Sequence, residues 1–120
     1  MFEIIQGGDF MQKRILGGTN YEVSVVGLGG IPIQRVDKST AADIIREALN
    51  QGMNFIDTAR GYTISEELIG QGLQIVGREK FILATKSMVR TYEGMLEEVK
   101  ASLSRWEVAS NLVPLAVRRC

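Results

Sequence analysis

The segment Met53-Asn54-Phe55-Ile56-Asp57-Thr58-Ala59-Arg60-Gly61-Tyr62-Thr63-Ile64-Ser65-Glu66-Glu67-Leu68-Ile69-Gly70-Gln71-Gly72-Leu73-Gln74-Ile75-Val76-Gly77 decides how the rest of the chain is read. Met53 to Asp57 is a short apolar run closed by an acid, which reads as a strand. Ser65 can cap a helix whose first turn carries Glu66 and Glu67, at the positive end of the helix dipole. Leu68, Ile69, Leu73 and Val76 form its buried stripe, and Gly77 stops it. One strand-helix unit is expected here, with Tyr62 on the loop between strand and helix.

The same unit recurs on both sides. Upstream, Val25-Val26-Gly27-Leu28-Gly29 reads as a buried strand ending in glycines. Thr40 with Asp43 three residues on makes a capping box. Ala41, Ile44, Ile45, Ala48 and Leu49 then share one helix face up to a stop at Gly52. Downstream, Phe81-Ile82-Leu83-Ala84-Thr85-Lys86 is a strand, and Thr91 caps a third helix with Met95, Leu96, Val99 and Leu103 on one side. Ahead of all three units, Lys13 to Leu16 and Tyr21 to Val23 flank Gly17-Gly18-Thr19-Asn20, the pattern of a β-hairpin. Strand-helix alternation argues for a parallel sheet. The strand ends at Gly29, Asp57 and Lys86 lie 28 and 29 residues apart. Eight such units come to roughly 230 residues, near the ~250 of a (β/α)8 barrel. An open three-layer α/β sheet uses units of similar length, so spacing leaves both architectures open.

Composition narrows the function. The 120 residues suit one small domain, and fourteen basic residues balance fourteen acidic ones. With no basic cluster there is no electrostatic footprint for nucleic acid. No apolar run approaches the ~20 residues of a membrane helix, and Met1 to Gln6 lacks the pattern of a secretory signal. The single cysteine, Cys120, leaves no internal disulfide and no thiol metal cluster, so a cytoplasmic location is expected. The chain has no histidine, which excludes histidine-based triads, metal sites and general bases on it.

Gly27-Leu28-Gly29-Gly30 follows a strand, but Pro32 stands where a dinucleotide fingerprint needs its third glycine. It reads as a plain glycine turn or as a loop that lets a ligand approach the backbone. Asp57 and Lys86 each close a strand, at the carboxyl edge where active sites of parallel sheets sit. Taken singly, Asp57 is a loop cap, Lys86 a solvated strand end and Tyr62 a packed surface aromatic. Taken together they make a device. A phenol alone is a poor acid near neutrality, an adjacent ammonium makes it a better one, and a carboxylate holds the ammonium. The result can protonate a carbonyl oxygen as hydride reaches its carbon.

In order and spacing, Asn54 to Tyr62, Ser65 to Gly70 and Ile82 to Lys86 resemble the aldo-keto reductases, over about residues 11–105. The resemblance implies a (β/α)8 barrel reducing aldehydes and ketones with NADPH or NADH and without metal, its hairpin plugging the bottom of the barrel. It makes Asp57, Tyr62 and Lys86 the catalytic residues, with Gly29, Gly30, Asp57 and Lys86 toward the cofactor. Gly29 to Gln34, Ala59 to Tyr62 and Lys86-Ser87 look like a bacterial branch of the family.

The departures shape the remaining expectations. The family's fourth catalytic residue, a histidine on the fourth strand, has no counterpart. The family's main pyrophosphate and adenosine contacts come from strands seven and eight, beyond the part matched. Pro114 would interrupt a central strand, so the family pattern is expected to stop near Arg105, with 106–120 a non-family tail. Gln6 to Met11 can be encoded by CAA GGA GGT GAT TTT ATG, which reads as a ribosome-binding site before a start codon, so residues 1–10 are expected to be translated leader or disordered extension. The expected fold is an incomplete (β/α)8 barrel, the hairpin plus three βα units, inactive by itself and prone to self-association through open sheet edges. The alternative is a non-catalytic fragment or a regulatory, binding protein of the same fold.

Overall fold

The computed structural model describes residues 11–106 and the backbone of residues 115–119. The expected leader and most of the expected tail lie outside the described residues.

The described chain opens with an antiparallel hairpin of β1 (Lys13–Ile15) and β2 (Glu22–Ser24), Lys13 facing Ser24. Its turn needs left-handed backbone at Gly17 (φ 50°) and Asn20 (φ 63°), which glycine and asparagine reach most cheaply. Asn54 ties the hairpin to the sheet. Its Oδ1 accepts from the Ser24 N–H (2.7 Å), its own N–H donates to Ser24 Oγ (3.1 Å), and its Nδ2 donates to the Glu22 carbonyl (2.9 Å). Asn54 directly precedes a strand, so the hairpin sits at the amino end of the sheet, where a plug is expected.

Four parallel strands follow: β3 (Leu28–Gly29), β4 (Phe55–Asp57), β5 (Ile82–Ser87) and β6 (Leu115–Arg119). They are joined in turn by α1 (Lys38–Asn50), α2 (Ser65–Val76) and α3 (Tyr92–Arg105). Their spatial order is their chain order. A doubly wound open sheet reverses its strand order at a switch point, and no reversal occurs among the described strands. The order is that of successive barrel units and resolves the choice that spacing leaves open.

Two details differ from expectation. β3 is only two residues long, and Val25 and Val26 are half exposed. Their backbone turns to the hairpin instead of the sheet: the Val25 N–H donates to the Gln12 carbonyl at 2.9 Å, and Ser24 Oγ donates to the Val26 carbonyl at 2.7 Å. The sheet also gains a fourth parallel strand beyond Arg105. β6 begins one residue after Pro114, so the proline removes none of the strand's ladder N–H groups.

Side chains alternate across the strands. Ile56 and Leu83 turn toward the helices and meet Ile45, Leu68, Ile69, Leu73, Phe81 and Trp106 in one core. Trp106, one residue past the expected family boundary, is 2% exposed. Capping follows the sequence at α3, where Thr91 Oγ1 accepts from the Gly94 N–H at 3.1 Å. It does not at α1, which Asp37 caps by accepting from the Thr40 N–H at 2.7 Å, so the helix starts before Thr40. Nor does Ser65 cap α2: its hydroxyl is buried, bonding the Gly30 carbonyl and Thr58 Oγ1, both at 2.8 Å.

Gly70 brings α2 against the end of α3. A Cβ there would fall on the Arg105 carbonyl oxygen and lie 3.4 Å from Trp106 Cα. Backbone cannot yield as a flexible side chain can. Gly70→Ala is expected to cost ~1–3 kcal/mol, the usual range for overpacking, read as a lower urea midpoint at unchanged slope. Among the described residues, no helix is long and apolar enough to cross a membrane.

Candidate active site

Asp57 closes β4 opposite Ala84 of β5. Lys86 lies two residues further along β5 and so points to the same face. Its Nζ donates to Asp57 Oδ2 at 3.0 Å and to the Thr58 carbonyl at 2.8 Å. The same ammonium stands 5.1 Å from the centroid of the Tyr62 ring, within cation–π range. The Lys86 side chain is 15% exposed and that of Asp57 53%. The more buried charge is thus matched by a carboxylate and a carbonyl, while Asp57 keeps an open side. Phenol, ammonium and carboxylate converge at the rim where the parallel strands finish.

The loop from Thr58 to Ile64 sets this geometry. The Thr58 N–H donates to the Ala84 carbonyl (2.8 Å) and the Arg60 N–H to the Lys86 carbonyl (3.0 Å), which carries the β4–β5 ladder past Asp57. The chain then turns: the Tyr62 N–H reaches the Ala59 carbonyl at 3.1 Å, and the Ser65 N–H reaches the Tyr62 carbonyl at 2.8 Å. Thr63 follows at φ 42°, left-handed backbone that a β-branched residue enters only under strain. Its hydroxyl donates to Gln34 Oε1 at 2.7 Å.

The two glycines of the first loop differ. A Cβ on Gly29 would meet nothing within 4 Å. A Cβ on Gly30 would lie 2.5 Å from Thr58 Oγ1 and 2.7 Å from Ser65 Oγ. Gly30 is packed, with its N–H on the Asp57 carbonyl at 2.8 Å, and Gly29 is the member of the pair that faces the open side.

Sequence reasoning missed the groups behind the rim. Glu66 is 2% exposed. Its carboxylate accepts from Arg60 Nη1 (3.0 Å), Thr85 Oγ1 (2.8 Å) and Ser102 Oγ (2.7 Å), with Arg105 Nη1 at 3.6 Å. Glu98 on α3 accepts from Arg60 Nε (3.0 Å), Arg60 Nη2 (3.3 Å) and Ser87 Oγ (3.2 Å). A signal was present: Glu66 shares the helix face of Ile69 and Leu73, and Thr85 and Ser87 follow Leu83 at two-residue spacing on the helix-facing side of β5.

Burial works to lower the Arg60 pKa, but its hydrogen bonds to Glu66 and Glu98 outweigh that and raise it above the ordinary arginine value. The bond from Arg60 holds the Glu98 carboxyl below its ordinary value of 4.5, against the opposing effect of burial. A carboxyl depressed in the folded state adds stability above its unfolded pKa and loses it as pH falls through the folded one. The wild type is therefore expected to lose its advantage over Glu98→Gln as pH falls below the ordinary carboxyl value of 4.5, followed by urea midpoints.

The family model for the Aldo/keto reductase family matches residues 25–113, past the expected limit at Arg105. L-galactose dehydrogenase of Arabidopsis thaliana is 40% identical over 84 residues, 63% of this chain and 26% of that protein. NADH-specific methylglyoxal reductase of Escherichia coli (strain K12) is 35% identical over 121 residues, covering 90% of this chain and 35% of that protein. The solved structure of an aldo-keto reductase from Bacillus halodurans, in its holo form, matches with TM-score 0.70 and 33% identity, over 82% of this chain and 37% of that one. The chain thus spans about a quarter to a third of the length of these curated relatives. Its fold is that of part of a (β/α)8 barrel.

Proposed function

The chain belongs to the aldo/keto reductase family, and on that premise we propose that its rim serves NAD(P)H-dependent reduction of small aldehydes and ketones. Tyr62 donates the proton to the carbonyl oxygen, Lys86 is the cation beside the phenol, and Asp57 holds Lys86. The observation that carries this reading is the Lys86 ammonium set between the Asp57 carboxylate, at 3.0 Å, and the Tyr62 ring, at 5.1 Å.

The rim fits the nicotinamide end of the cofactor. Gly29 leaves its side open to a flat ring, and Asp57 and Lys86 beside it offer an acceptor and a donor. Gly30 shapes that edge through its packing on Thr58 and Ser65. When bound, the reduced nicotinamide supplies hydride. The chain's own residues orient the carbonyl, hold a proton at the Tyr62 oxygen and keep the ammonium beside it as negative charge develops there, the kind of stabilisation that works best when preorganised. Since the chain has no histidine, only three of the family's four catalytic positions are represented on it. A second reading is a regulatory or binding protein of the same fold.

The test is loss of reduced-nicotinamide absorbance with NADH or NADPH and simple carbonyls, methylglyoxal among them. Turnover that depends on Tyr62 supports reduction. Cofactor binding with no turnover of any carbonyl supports the binding protein instead.

A further inference from the structure

Two carboxylates hold both halves of the rim. Glu66 accepts from Thr85, and Glu98 from Ser87, the residues on either side of Lys86. The same two carboxylates accept from Arg60, two residues before Tyr62. Arg60 is also joined through its backbone N–H to the Lys86 carbonyl at 3.0 Å.

We propose that Arg60 is a positioning residue of the rim: by bridging Glu66 of α2 and Glu98 of α3, its guanidinium fixes the Tyr62 ring against the Lys86 ammonium. The proposal rests on the reductase reading above. The Arg60 side chain is 18% exposed, so its charge is largely withdrawn from water and is stabilised by two partners. The fork of guanidinium donors spans two carboxylates at once, which a lysine ammonium at the end of a flexible stem does not reproduce. Without the clamp, the Thr58 to Ile64 loop keeps its backbone bonds to β5 and its bonds to Ser65 at the start of α2, but loses its side-chain tie to Glu66 and to α3. Tyr62 keeps its backbone bonds to Ala59 and from Ser65, but its side chain, past the last bond to β5, loses the support that holds the ring over Lys86.

The test reads the Tyr62–Lys86 contact directly. A cation over an aromatic ring has its neighbouring methylene protons displaced upfield by the ring current. In lysine-labelled protein, the Lys86 side-chain resonances are identified by their loss in Lys86→Met, and the ring contribution by its loss in Tyr62→Leu. Arg60→Gln is expected to abolish at least half of that displacement while far-UV circular dichroism stays native. Glu98→Ala, at a helix position whose side chain is 26% exposed, is expected to do the same and carries the test should Arg60→Gln fail to fold. A displacement kept in full by either folded variant overturns the proposal and leaves the reductase reading standing. A wild type with no Tyr62-dependent displacement removes the contact itself, and with it both the reading and the inference.

Discussion

Tyr62→Phe is expected to lower kcat for carbonyl reduction by about 10²- to 10⁴-fold, the range that a positioned general acid supplies, with cofactor affinity and melting behaviour close to wild type. The argument is local. The substitution removes one oxygen and keeps the ring, so the contact with Lys86 at 5.1 Å remains. The Tyr62 backbone bonds to Ala59 and from Ser65 are unaffected. Loss of activity without loss of fold is therefore what a proton donor predicts. Lys86→Met supplies the contrast. It leaves Asp57 without its cation, but Asp57 is 53% exposed, and water can take over an exposed partner, for which such pairs contribute only ~0–1 kcal/mol. A drop in kcat of similar size with a small change in stability would place Lys86 in the same step as Tyr62. Parallel losses of activity and stability in both variants would instead mark the pair as packing. The measurement is kcat and the urea midpoint on the same preparations.

The parts of this site that the sequence made legible are those whose chemistry falls at strand ends. Asp57 and Lys86 each close an apolar run, and Tyr62 follows on a loop, so periodicity alone brings them to one edge. Strand existence and the hairpin were legible for the same reason. Capping was less so: Asp37, Thr40 and Ser65 are all good capping residues by type, and only the fold decides that Ser65 is spent on Gly30 and Thr58. Glu66 was read as a dipole partner because its position in the first turn of α2 satisfies that rule. Its burial depends on Arg60, Thr85 and Ser102, which come from a loop, a strand and another helix. No single segment carries that information, although the two-residue spacing of Leu83, Thr85 and Ser87 hinted that the helix-facing side of β5 was polar toward its end. The strand β6 was missed for a related reason. Proline was weighed as a breaker of the strand, whereas the ladder starts only after it.

Glu66→Ala is expected to lower the unfolding free energy by ~3–5 kcal/mol, the cost of breaking a buried ion pair from one side. Against the ~5–15 kcal/mol that holds most domains, that is enough to shift the folded population appreciably at ordinary temperatures. The size follows from what is left behind. Arg60 keeps only Glu98, while Thr85 and Ser102, both buried, lose their acceptor in a place water does not readily reach. An unsatisfied buried donor costs its desolvation, not merely the bond. Two companion variants decide whether this is the reason. Ser102→Ala removes one donor from a carboxylate that has others, and its cost is expected to be well below that of Glu66→Ala. In the double variant the two costs should fall short of additive, because once the carboxylate is gone the serine hydroxyl has nothing left to lose, a shortfall that a double-mutant cycle measures. Additive costs, or a Glu66→Ala protein within about 1 kcal/mol of wild type, the scale of solvated pairs, would mean that solvent reaches the cluster and that Arg60 draws its rigidity from elsewhere.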